Sequence, residues 1–203
     1  MHQSKPQKAL GKKSAPASSG IVRIIGGTMR GRKLRFHTVD GLRPTLDRVR
    51  ETLFNWLARD IAGSRCLDLF AGSGALGFEA ASRGAKSITL VERSAKVARD
   101  LKNNCQLLSA DNIHVINQEA ARFLTTNEEK FDLIFLDPPF GQGLLNRLFD
   151  DLLPHLNANA LVYIEQEKNE QTFVPNSNWT QLKFKTTGSF SYALYQLTDA
   201  TSG

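Results

Sequence analysis

The sequence predicts a doubly wound α/β fold: a mostly parallel seven-stranded sheet ending in an antiparallel C-terminal hairpin. Three observations predict it. From residue 65 onward, short apolar runs alternate with amphipathic stretches of helical period. The runs are largely apolar on both sides, as suits parallel strands covered on both faces. The last two runs flank Gly188 with no helix between them, which suits an antiparallel hairpin.

The elements follow in order. Residues 1–20 hold four lysines, no acid and mostly Ser, Gln, Pro, Ala and Gly, and are expected to form a disordered basic tail. Residues 21–36 read as two short strands around Gly26-Gly27 and Gly31. Pro44-Thr45 opens a helix whose Leu46, Val49, Leu53 and Leu57 share a stripe, with Thr45 as cap and Asp47 in the first turn. The candidate sheet strands are 65–70, 87–91, 113–117, 131–136, 159–165, 181–187 and 190–197. Helices are expected near 75–83, 94–108, 119–125 and 143–156. Three units result: the tail, a basic hairpin and helix over 21–60, and the α/β domain over 61–203.

The chain has 203 residues, 41% hydrophobic and 23% charged, with a net charge of +6. Residues 1–60 carry thirteen Lys/Arg against four Asp/Glu, whereas 61–203 carry thirteen against sixteen. A basic front on a slightly acidic body points to a polyanion. Arg23, Arg30, Arg32, Lys33, Arg43 and Arg48 are its candidate contacts. No apolar run reaches the roughly 18 residues of a membrane span, and the first twenty residues lack a signal-peptide core. A cytoplasmic monomer is expected. Cys66 and Cys105 are too few for a disulfide framework and lack zinc-ligand spacing, and the four histidines form no ligand pair, so no metal site is expected.

The first α/β strand runs into Asp68-Leu69-Phe70-Ala71-Gly72-Ser73-Gly74-Ala75-Leu76-Gly77. Gly72, Gly74 and Gly77 have the spacing that lets backbone approach a nucleotide where a strand turns into a helix. A tight turn explains any one of these glycines, but three in this context poorly. Asp68 helps to decide between ligands. A pyrophosphate would be repelled by its carboxylate, whereas the ammonium and sulfonium of S-adenosylmethionine would be attracted. Glu92, twenty residues after Gly72 at the next strand end, suits the ribose hydroxyls. Phe70, Ala71 and Ser73 belong to the same turn. Gln118-Glu119-Ala120 falls at the third strand's end, where such folds place a polar contact to adenine, a role open to Gln118, to Glu119 or to neither.

The fourth strand ends in Asp137-Pro138-Pro139-Phe140. An exocyclic amino nitrogen is a poor nucleophile because its lone pair is delocalised into the base. Asp137 and the Pro138 carbonyl can accept its two hydrogens and turn the lone pair to a methyl donor. Pro138 and Pro139 stiffen the turn, and Phe140 offers a face for the base. Asp137 is also placed to take the proton released after transfer.

Asp68 to Gly77, Glu92 and Asp137 to Phe140 together resemble class I amino-methyltransferases, with their Rossmann-like fold. Arg23-Ile24-Ile25-Gly26-Gly27, Arg30-Gly31-Arg32-Lys33-Leu34, Leu42-Arg43-Pro44-Thr45, Asp47-Arg48-Val49-Arg50-Glu51 and Leu53-Phe54-Asn55-Trp56-Leu57 narrow the likeness. The chain is similar over about 21–197 to the RsmD family of bacterial 16S ribosomal RNA guanine-N2 methyltransferases. The resemblance implies a single guanine in the assembled or nearly assembled small subunit as substrate, and S-adenosylmethionine as cofactor. It implies the glycine turn and Glu92 as cofactor contacts, Asp137 to Phe140 as the base site, and Arg43, Pro44 and Thr45 at its border. Glu119 departs from the more usual Asp or Asn. Three other readings are weighed: a DNA or protein-amide methyltransferase, a non-catalytic assembly factor, and an NAD oxidoreductase. They are disfavoured respectively by the basic front without a recognition domain, by the intact Asp137 and glycine turn, and by Asp68.

Overall fold

The computed structural model describes residues 19–37, 47–168, 175 and 178–197. The sheet has the order β5-β4-β3-β6-β7-β9-β8. Its strands are β3 (Arg65–Asp68), β4 (Ser87–Val91), β5 (Ile113–Ile116), β6 (Phe131–Leu136), β7 (Leu156–Glu167), β8 (Trp179–Thr186) and β9 (Phe190–Leu197). The first five are parallel, and β9 enters antiparallel between β7 and the edge strand β8. This is the predicted seven-stranded, doubly wound sheet with its C-terminal hairpin.

The period-2 geometry of strands explains why these runs are apolar throughout. In β6, Leu133 and Phe135 join one core, while Ile134 and Leu136 join the other. The first core holds α1 (Asp47–Trp56), α2 (Ala75–Ser82) and α3 (Ala95–Leu108). The second holds α4 (Ala120–Thr126), α5 (Leu144–Leu148) and a 3₁₀ turn over Asp150–His155. Ser94 caps α3 by accepting from the Val97 N–H.

Two expected elements differ. The helix expected over 143–156 is divided into α5 and the 3₁₀ turn, because Pro154 has no N–H to continue an α-ladder. β7 begins at 156 rather than 159. Asn159 takes a left-handed φ of 59°, and the pairing with β6 shifts register between Phe131 and Leu133.

The N-terminal segment forms an antiparallel ribbon, β1 (Ser19–Arg23) with β2 (Lys33–His37), laid over α2 and α3. Asn104 on α3 accepts from the Arg35 N–H and donates to its carbonyl. Ser82 on α2 accepts from the Thr28 and Met29 N–H groups, through its carbonyl and its hydroxyl. Val22, Ile24, Leu34, Leu53, Phe54 and Leu57 share the first core with Ile88, Leu90 and Phe135, so the core does not divide at residue 60. Each such buried side chain contributes roughly 1.5–3 kcal/mol.

A polar knot fixes this junction. Arg50 and Glu79 are both fully buried. Arg50 donates to the Arg23 carbonyl at 2.9 Å and to Asp47 at 2.6 Å, and lies 3.8 Å from Glu79. Glu79 accepts from Arg83 at 2.7 Å and from the Ile25 N–H at 2.8 Å.

Candidate active site

A cleft of about 680 Å³ opens at the carboxyl ends of β3, β4, β6 and β7, where a doubly wound sheet places its ligands. Each of these strands delivers an acid there. Asp68 ends β3, Glu92 and Asp137 each follow the last residue of their strand, and Glu165 lies near the end of β7.

Glu92 is buried, and both of its oxygens are held by backbone. Oε2 accepts from Gly72 at 3.0 Å, and Oε1 accepts from Ser94 at 2.7 Å. Asn117 donates to its carbonyl at 2.8 Å. The carboxylate is therefore fixed across the mouth of the glycine turn.

Asp68 is almost fully enclosed. Its carboxyl accepts from the backbone N–H groups of Phe70 and Gly77, the latter in the first turn of α2, so it also satisfies a helix N-terminus. Burial pushes its pKa from the ordinary 3.8 up to about 7, and the nearby charges of Asp137 and Glu92 add to that. A site that gathers this many acids favours a cationic ligand.

Phe70, Ala71, Gly72 and Ser73 line the cleft, as do Gln118 and Glu119. Gly74 and Gly77 are not among its lining residues. Gly74 sits at φ 77°, a left-handed conformation costly for other residues, and precedes α2. A side chain at Gly77 would run into Leu90 of β4, so its smallness serves close helix–sheet packing. The motif spacing holds, but only its first glycine lines the cleft.

Asp137, Pro138, Pro139 and Phe140 stand in the same cleft as Glu92 and Gly72. Phe140 is half-buried, its ring 6.1 Å from that of Phe190. The volume lies within the range of small-molecule sites. The donors and acceptors fit S-adenosylmethionine: acids for its cationic amino-acid end, and a fixed carboxylate for its ribose. Among the described residues, no group of three or more His, Cys, Asp or Glu is placed to hold a metal ion.

Sequence reasoning passed over Glu165, Arg93, Arg147, Ser189 and Phe190, all of which line the cleft. Glu165 carries the same signal as Asp137, an acid closing an apolar strand. Ser189 and Phe190 arrive through the β8–β9 turn and carry no local motif.

Of the candidate RNA contacts, Arg23, Arg30, Arg32, Lys33 and Arg48 are exposed and lie away from the cleft lining. Arg32 also donates to the Leu107 carbonyl at 3.2 Å. Arg43, like Pro44 and Thr45, lies outside the described residues.

The family model described as conserved hypothetical protein 95 matches residues 22–196. The ribosomal RNA small subunit methyltransferase D of Haemophilus influenzae is 51% identical, over 89% of this chain and 96% of that one. The Escherichia coli protein of the same name is 47% identical, over 91% and 94%. A solved chain from Escherichia coli superposes with a TM-score of 0.81 at 46% identity, over 88% of this chain and 99% of that one. With about half of its residues identical across nearly the full length of such relatives, this chain belongs to the ribosomal RNA small subunit methyltransferase D family.

Proposed function

We propose that this cleft transfers a methyl group from S-adenosylmethionine to the exocyclic N2 of one guanine in small-subunit (16S) ribosomal RNA. The observation that carries the reading is that Asp137, Pro138 and Phe140 share one cleft with Glu92 and the turn at Gly72. A solved chain of the same fold, SMU.776, 18% identical with a TM-score of 0.69, is complexed with SAH.

Bound S-adenosylmethionine supplies an electrophilic methyl group together with its leaving group. The chain's residues do the rest. Asp68, Phe70, Ala71, Gly72, Ser73 and Glu92 hold the cofactor, with Gln118 or Glu119 at the adenine. Asp137 and the Pro138 carbonyl accept the two amino hydrogens, which turns the nitrogen lone pair toward the donor. The fixed backbone of Pro138-Pro139 prepays the entropy of that alignment. Phe140 stacks the extruded base, and Asp137 takes the proton released after transfer.

Residues 21–60 act as the RNA-docking part and 61–203 as the chemical part, on the small subunit or its late assembly intermediate. Arg23, Arg30, Arg32, Lys33, Arg43 and Arg48 meet phosphates. The protein works as a cytoplasmic monomer; among the described residues, no helix is long and apolar enough to cross a membrane.

Nucleoside mass spectrometry of small-subunit rRNA tests the reading. Cells lacking the protein should lose one N2-methylguanosine, and the protein should restore it. An unchanged N2-methylguanosine content would overturn the assignment.

A further inference from the structure

We propose that Glu165 decides which base the cleft accepts: its carboxylate takes the N1–H of guanine beside the amino group held at Asp137, and thereby rejects adenine and cytosine. The inference rests on the guanine-N2 reading above and adds the group that makes it selective.

Register puts Glu165 in place. Leu136 of β6 pairs with Ile164 of β7, so the next residues along the two parallel strands, Asp137 and Glu165, step out side by side. Adjacent strands are separated by roughly 4.8 Å. Both residues line the cleft, together with Phe140, Ser189 and Phe190.

Glu165 is 3% exposed. A carboxylate so enclosed is costly to keep unless donors meet it. The Tyr163 hydroxyl, two residues back on the same face of β7, donates to Oε1 at 2.7 Å. Burial, followed by the charge of Glu165, raises the Tyr163 pKa well above its ordinary value, so the phenol keeps the proton it donates. Tyr163 is itself fully buried, with its ring 6.4 Å from those of Phe135 and Tyr192. The acid is thus braced from behind and presented to the cleft.

The Asp137-Pro138 pair cannot choose a base, because two acceptors serve the amino group of adenine, cytosine or guanine alike. The ring nitrogen beside that amine can choose. In guanine it is N1–H, a donor. In adenine N1, and in cytosine N3, it is a lone pair. A carboxylate next to the amine's holder attracts the first and opposes the other two. Sites built to pair a particular donor discriminate strongly, since the wrong base turns a lone pair toward the carboxylate in place of that donor.

The test uses reconstituted small-subunit particles carrying guanosine or 2-aminopurine riboside at the mapped target position. 2-Aminopurine keeps the 2-amino group but has a lone pair at N1. The wild-type protein should prefer guanosine strongly. Glu165→Gln can turn an amide N–H toward that lone pair, so it should cut the preference by about tenfold or more. Equal slowing on both substrates would overturn the proposal, because a merely structural acid would not shift the ratio. SAH affinity measured on the same variant reports folding. If Glu165→Gln binds no SAH, Tyr163→Phe takes its place: it should lower the preference, and an unchanged preference overturns the proposal. Wild-type protein that yields no N2-methylguanosine on the guanosine particle would sink the function reading, an outcome separate from an unshifted ratio.

Discussion

The Glu92 carboxylate accepts the backbone N–H of Gly72 at 3.0 Å, so an acid at the end of β4 holds the glycine turn that follows β3. Its other oxygen holds Ser94, at the start of α3, at 2.7 Å. One side chain thus braces two strand-to-helix connections and faces the cleft. Glu92→Ala leaves two backbone donors without partners, at a cost of about 1–3 kcal/mol in stability. It should also weaken SAH binding by about tenfold or more, since the proposed ribose acceptor goes with the brace. Calorimetry gives the affinity and denaturant titration the stability. An unchanged dissociation constant would take Glu92 out of the cofactor site.

Asp68 predicts a pH dependence. Its pKa of about 7 in the unliganded fold lies above the ordinary 3.8, so between these values the folded chain binds more protons than the unfolded one. Its contribution to stability therefore falls as pH rises through that window and levels off above about 7. A cation favours the ionised form. Cofactor affinity should rise with pH up to about 7, approaching tenfold per pH unit at the acid end, and then flatten. Asp68→Asn should flatten both profiles. A wild-type affinity that is level from pH 5.5 to 7.5 would show that Asp68 does not face the ligand's charge.

Much of the site is readable in the sequence because strand-end acids sit at sharp transitions in hydropathy. Asp68 and Asp137 each close an apolar run beside a glycine or proline turn, Glu92 closes one twenty residues after Gly72, and all three line the cleft. Glu165 closes a run in the same way but has no glycine or proline motif beside it. Phe190 reaches the cleft only because β9 inserts between β7 and β8, a long-range pairing that no local pattern states. Gly74 and Gly77 satisfy a ligand motif through spacing alone, while their physical work is a left-handed turn and close packing on Leu90. Arg50 counts toward the basic front, yet it is fully buried. The buried face of α1 is one position wider than the stripe of Val49 and Leu53, taking in Arg50 and Phe54.

That buried arginine is a stability determinant. Arg50→Ala would strip the Arg23 carbonyl of a donor and leave Glu79 with Arg83 and the Ile25 N–H. Glu79 stays paired, so the loss is that of a large buried side chain and its hydrogen bonds, about 1–3 kcal/mol. Denaturant unfolding should show a loss of that order, with the midpoint lowered. A change below about 0.5 kcal/mol, the level of an ordinary surface substitution, would mean the knot is not what fastens the ribbon.

The exposed Arg30, Arg32 and Lys33 predict salt-dependent RNA binding. Changing all three to Ala should weaken binding to small-subunit particles and lower the log–log salt slope by roughly 0.7–0.9 for each phosphate no longer neutralised. SAH affinity should not move, because none of the three lines the cleft. A wild-type affinity indifferent to salt would point to recognition by shape or by ribosomal protein.

Asp137→Ala separates chemistry from binding. Asp137 lines the cleft beside Pro138 and Phe140, and its proposed work is to orient an amino group, an interaction realised near the transition state rather than in ground-state affinity. SAH and particle binding should stay within a few-fold of wild type, while methyl transfer falls roughly a hundredfold or more. Phe140→Ala should act differently. It removes the proposed stacking face, worth about 1–3 kcal/mol per base, so capture of the extruded guanine should weaken more than the chemical step. Asp137→Asn divides the two tasks assigned to the carboxylate, since it keeps an acceptor oxygen and loses the basicity. Single-turnover rates close to wild type in Asp137→Asn would assign its work to alignment. Collapse to the Asp137→Ala level would assign it to proton removal. Near-normal turnover in Asp137→Ala itself would mean that the Asp137-Pro138-Pro139-Phe140 turn is not where the methyl group is transferred.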